Sequence, residues 1–168
     1  VYPNYNLETI LVTIEHGGSS HRALVQANKM VYIWWRGEIH RYNGTGTEKI
    51  SKQIDPTLET TNMARLSQIV GARRRVLNHI RWYYPDGSAT TNTSAVAFDY
   101  LNEGFLTVAD QTAMPLAEQV FESGIEYLLT VDVNGLVRRQ DSGADYAGTA
   151  ITARVAMPWT SAQAPDQL

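Results

Sequence analysis

The four histidines are the first residues to test for chemistry. His16 and His21 flank a Gly17-Gly18-Ser19-Ser20 turn, with Glu15 adjacent, and Glu38 and His40 follow one strand later. Imidazole and carboxylate together suit zinc, iron or manganese. If the first two strands are neighbours, His16, His21, His40 and Glu38 can converge on a metal, as in a small metal-dependent enzyme or binding protein. Their spacing is not that of a helix-borne motif such as H-E-x-x-H, and histidines beside loops are more often surface residues. The expectation is therefore no metal and no cofactor.

Other catalytic patterns fare no better. His16-Gly17-Gly18 resembles the oxyanion segment of some esterases, but no G-x-S-x-G elbow accompanies it. Neither phosphate-loop pattern, G-x-x-x-x-G-K-[ST] or G-x-G-x-x-G, is present. Asp132, Asp141 and Asp145 surround one hairpin, and Asp99 and Glu103 another. Paired carboxylates can hydrolyse glycosides, yet aspartates in turns more commonly bond to nearby backbone. The chain has no cysteine, which excludes disulfides, thiolate metal sites and cysteine nucleophiles. No residue is assigned a catalytic role. Two N-x-S/T sequons, at Asn43 and Asn92, are at the frequency chance allows in so Asn- and Thr-rich a chain.

The aromatic and basic residues are more distinctive. Trp34 and Trp35 are adjacent in an apparent strand, so one indole faces each side. One can enter the core, and the other is covered by a helix, a partner or a ligand or is left exposed; a carbohydrate- or ligand-binding module is one way to use it. Arg73-Arg74-Arg75, with Arg65 and Arg81, makes one segment basic in a chain that is acidic overall. Arginine forks match phosphate, but a solvated face or a salt-bridge strip between subunits is the commoner use. Arg73, Arg74, Arg75, Trp34 and Trp35 are thus the candidate interface residues.

The elements that would position these residues follow from periodicity and turn residues. Strands are expected at 7–15, 30–36, 95–101, 105–108, 125–133 and 151–157, with Asn134-Gly135 as a type I′ hairpin turn. Met63, Leu66, Ile69, Val70, Val76, Leu77 and Ile80 fall at helical spacing, which predicts a long helix over about 60–83 ended by Pro85-Asp86-Gly87. A shorter helix is predicted over about 112–123, with Pro115 in its first turn and Gly124 after it. On the longer helix Arg73 would lie within the apolar stripe. Either the helix breaks or kinks near Gly71, or Arg73 meets a carboxylate or carbonyls of its own chain or a neighbouring subunit, the second being preferred. The expected fold is α+β, an antiparallel sheet or sandwich with both helices packed on it.

Length and composition set the outer bounds. At 168 residues, 43% hydrophobic and with net charge −3, the chain is expected to form one domain over 1–160, followed by a small polar tail, 161–168, expected to be mobile. No apolar run reaches membrane-spanning length, and residues 1–5 lack the basic and apolar regions of a signal peptide, so neither is expected in this chain. The acidic balance argues against a nucleic-acid partner. By elimination, the profile suits a non-enzymatic subunit that assembles with copies of itself and with other structural subunits. The concrete expectation is a tailed-phage virion component of tail, tail-terminator or head–tail connector type.

Overall fold

The structure, a computed structural model, describes residues 18–108 and 116–140 and two short strand segments at 145–146 and 149–150. The expected strands 7–15 and 151–157, His16 and the tail 161–168 lie outside the described residues. The first sheet is an antiparallel meander of β1 (Leu24–Ala27), β2 (Met30–Trp35), β3 (Glu38–Tyr42) and β4 (Thr47–Lys49). Its first two connections are two-residue turns, Asn28-Lys29 and Arg36-Gly37, with positive φ at all four positions. Such turns carry the twist that adjoining strands require.

A 3-10 turn, Ser51–Ile54, runs on into a single α-helical turn, α1 (Asp55–Leu58), and a second 3-10 stretch, Met63–Gln68, completes the crossing to the next sheet. That sheet is again a meander, β5 (Val70–Arg74), β6 (His79–Tyr84), β7 (Ser94–Asp99) and β8 (Gly104–Val108). The third sheet places β10 (Ile125–Val131) between β9 (Leu116–Glu122) and β11 (Val137–Arg139). Two short strands, β12 (Asp145–Tyr146) and β13 (Thr149–Ala150), pair with each other.

This architecture corrects the α+β expectation: the described residues are mostly antiparallel β, and their longest helical run is 51–58. The helix expected over 60–83 is instead the 3-10 stretch followed by the β5–β6 hairpin, in which Val70 pairs with Tyr83 and Arg74 with His79. Its apparent 3.6-residue stripe mixes unrelated positions. Ile69, Val70 and Ile80 are buried, whereas Val76 and Leu77 are exposed at the tip of the hairpin. His79-Ile80-Arg81-Trp82-Tyr83-Tyr84 carries the β-branched and aromatic residues that prefer a pleated surface, and partners on both sides hold it there. The helix expected over 112–123 fails for the same reason. Residues 116–122 pair along their whole length with 125–131. Gly124, expected to end a helix, instead forms a two-residue hairpin turn with Ser123, both at positive φ.

The main core lies between the first two sheets. Tyr32, Trp34 and Ile39 face Ile80, Trp82, Tyr84, Val96 and Phe98. Trp34 packs against Tyr84 and Trp82 with ring centroids 5.1 and 6.3 Å apart, and Tyr32 against Phe98 at 5.6 Å. The other face of the second sheet carries Val70, Ala72, Tyr83 and Ala95, which pack under Ala117 and Leu128 of the third. The described chain is therefore three sheets deep.

Candidate functional site

The structure brings Glu38 and His40 together, and among the described residues it builds no set of three metal ligands. Both project from the same face of β3, and His40 Nε2 lies 3.0 Å from Glu38 Oε2. Lys49, opposite His40 on β4, places Nζ 2.8 Å from Glu38 Oε1 and 2.8 Å from Asp55 Oδ2. The cation between these carboxylates is an ammonium of the chain itself. The hydrogen bond from Lys49 holds the Glu38 carboxyl below its usual range, aided by His40, and the two carboxylates raise Lys49, Asp55 first. Ser51 ties the cluster to the backbone, accepting from Ile39 N–H and donating to Asp55 Oδ1. His21 is exposed in the 3-10 turn before β1, and no group of three or more His, Asp or Glu suited to a metal occurs among the described residues. A shallow depression of about 180 Å³ adjoins the cluster, lined by Arg36, Glu38, Lys49, Asp55 and Met63 among others.

The tryptophans separate as strand alternation requires. Trp34 is fully buried in the core. Trp35 is half-buried on the outer face of the first sheet, edge-on to His40 at 6.0 Å, with the Arg36 guanidinium 5.2 Å from its ring centroid. The arginines share no helical face. Arg73 lies on β5, its guanidinium 5.5 Å from the Tyr100 ring centroid and its Nη2 donating to Tyr100 Oη at 3.3 Å. Its partner is thus an aromatic ring and a hydroxyl rather than the carboxylate or carbonyl expected on a helix. Arg74 points to the opposite side of the strand, and Arg75 is exposed in the turn.

The third sheet holds what the sequence reading missed. On β10, Glu126, Leu128 and Thr130 point inward at 5%, 0% and 0% exposure, and Asp132 just beyond is also buried. Glu126 accepts from the main-chain N–H groups of Arg75 and Val76, both at 2.6 Å, and from Gln119 Nε2 at 2.8 Å. A buried carboxylate thereby pins this sheet to the β5–β6 turn. Gln140 donates to Thr130 Oγ1, and Asp132 binds Arg138.

The outward row of β10 is Ile125, Tyr127, Leu129 and Val131, each at least partly exposed. Strand pairing sets Leu116, Val120 and Val137 of the neighbouring strands on the same face. Ile125 is 55% exposed and Val137 64%. Arg139 stacks over Tyr127 at 3.7 Å, and Glu118 and Glu122 complete the face. The usual pattern, apolar residues in and polar residues out, holds at Leu128 but is reversed at Glu126 and Thr130, which are buried while Ile125 is exposed. The alternation 125–131 was visible in the sequence, but not which side would be covered. No known protein family matches this chain, and no curated protein matches it. No helix among the described residues is long and apolar enough to cross a membrane.

Proposed function

We propose that the chain is a non-enzymatic structural subunit that assembles with copies of itself through the outer face of β9–β10–β11, in a tailed-phage virion or a comparable shell or tube. The observation that supports this reading is the apolar outer row of β10. The strand's inward Glu126 and Thr130 are buried and hydrogen-bonded beside Leu128, while its apolar row shares the outward face with Leu116, Val120 and Val137. Patches of this kind mark interaction surfaces, and fully burying one Ile, Leu or Val contributes about 1.5–3 kcal/mol. Among the described residues β9 and β11 are the outer strands of this sheet, so face and edge contacts to a second copy are both part of the proposal.

Light scattering after size exclusion tests the proposal across a concentration series. The wild-type chain is expected to form a defined oligomer. Ile125→Lys and Leu129→Lys are expected to give a monomer with an unchanged circular dichroism spectrum, because neither side chain serves the interior. A wild-type chain that remains monomeric at high concentration would refute it. The second reading, a ligand-binding module, keeps one supporting observation, the half-buried indole of Trp35 bracketed by Arg36 and His40. Trp35→Ala would then abolish ligand-induced fluorescence quenching and leave assembly untouched.

A further inference from the structure

The chain carries two Asn-Gly pairs, Asn43-Gly44 and Asn134-Gly135, which the sequence gives no reason to distinguish. Both asparagines are exposed in hairpin loops. Their surroundings differ at two of the groups that matter for attack of a backbone amide on a side-chain amide, the side-chain carbonyl and the following glycine N–H. Asn43 Oδ1 accepts from Thr45 N–H at 3.0 Å, Thr45 Oγ1 at 2.8 Å and Gly46 N–H at 3.1 Å. Asn43 Nδ2 has no hydrogen-bond partner among the described residues, and neither has the Gly44 N–H. A Cβ built on Gly44 or on Gly135 would meet nothing within 4 Å, so free space does not separate the two pairs and the hydrogen bonds do. At the other pair, Gly135 N–H donates to Asp132 O at 3.0 Å, and Asn134 N–H donates to Asp132 Oδ1 at 2.9 Å. There the would-be nucleophile is engaged and its loop is clamped by a buried carboxylate.

We infer that Asn43 is a self-modification site, converting to aspartate and isoaspartate through a cyclic imide, and that Asn134 is protected. The Gly44 nitrogen attacks Asn43 Cγ. Negative charge develops on Oδ1, where three donors already point, an arrangement that favours such a charge. The N–Cγ bond forms and the Cγ–Nδ2 bond breaks. Nδ2 leaves as ammonia, carrying the proton that the Gly44 nitrogen loses. Water then opens the imide at either carbonyl, giving an α- or β-linked aspartyl residue. One water enters and one ammonia departs, with no change of oxidation state. The product adds a negative charge to the tip of the β3–β4 hairpin, and the β-linked form lengthens its backbone by one carbon.

Peptide mapping by mass spectrometry during incubation at mildly alkaline pH tests this, with isoaspartate located by fragmentation. In the folded protein, the Asn43 peptide is expected to convert at least several-fold faster than the Asn134 peptide. In concentrated urea the two should convert at similar rates, because both are then unstructured Asn-Gly pairs. Thr45→Val keeps a β-branched residue but removes the hydroxyl donor, and should slow Asn43 several-fold in the folded protein without changing Asn134. Equal rates in the folded protein, or faster reaction at Asn134, would overturn the inference. So would acceleration by Thr45→Val, which would show that the donors restrain the side chain rather than activate it.

Discussion

Gly71→Ala sets two physical effects against each other, and their sizes decide the sign. Gly71 lies on β5 with ordinary strand backbone, so alanine strains no dihedral there. Replacing glycine inside a strand should by itself be favourable by roughly 0.5–1 kcal/mol, since less chain entropy is lost on folding. A Cβ at this position, however, would stand 2.5 Å from Val25 Cγ2 and 2.8 Å from Trp82 Cδ1 and Nε1. Both neighbours are buried, and the Trp82 indole is fixed by its hydrogen bond to Ala23 O at 3.1 Å. Overpacking a core costs about 1–3 kcal/mol, and losing that hydrogen bond adds about 1 kcal/mol or more if the N–H stays buried. The balance is a loss of about 2 kcal/mol, which for a chain of this size lowers the melting temperature by roughly 4–8 °C. Thermal and urea unfolding measure it directly. Val25→Ala in the same chain removes the nearest contact, so the double variant should lose less than the sum of the two single losses. A Gly71→Ala protein as stable as wild type, or more stable, would show that β1 and β5 do not approach each other as described.

Glu126→Ala should leave the Arg75 and Val76 N–H groups and Gln119 without their shared acceptor, at a cost of about 3 kcal/mol or more. Hydrogen exchange should report faster opening of β9–β10 and the β5–β6 turn than of β2 and β6; uniform acceleration would argue against a local pin. Stability should also fall in acid. Glu38 is held low chiefly by Lys49, Asp99 by the N–H and side chain of Asn102, and Asp132 by the Leu136 N–H and Arg138. A carboxyl depressed in the folded state contributes stability that is complete above its unfolded value and is lost as pH falls through its folded value. The urea midpoint should therefore be flat near neutrality and drop below about pH 4, and Asp132→Asn should lower the plateau and flatten the drop. A midpoint that rises on acidification would contradict the assignment of these partners.

Local pattern alone determined several elements, because their chemistry is local. Val-Tyr-Ile-Trp-Trp at 31–35 is a strand, its two indoles divide between the two faces, and 95–99 is a strand, all from alternation and β-favouring side chains. The hairpin that joins 125–131 to 137–139 was also legible from its turn residues. The turn itself was not. Only Gly135 of the Asn134-Gly135 pair has positive φ, because Asp132 accepts from Asn134 N–H and Leu136 N–H and draws the loop into a wider form than type I′. Tertiary pairing decided the rest. Residues 63–80 fit a helical period by count, but strands on either side of β6 and a core that takes Ile80, Trp82 and Tyr84 from one face outweigh a propensity worth only tenths of a kcal/mol per residue. The sequence shows that β10 has one apolar row and one mixed row, Glu126, Leu128 and Thr130. Which row is buried depends on what stands opposite, and here Arg75 and Val76, 51 and 50 residues away in the chain, supply the backbone donors that draw Glu126 inward. An alternating strand specifies two faces, but only its neighbours can choose between them.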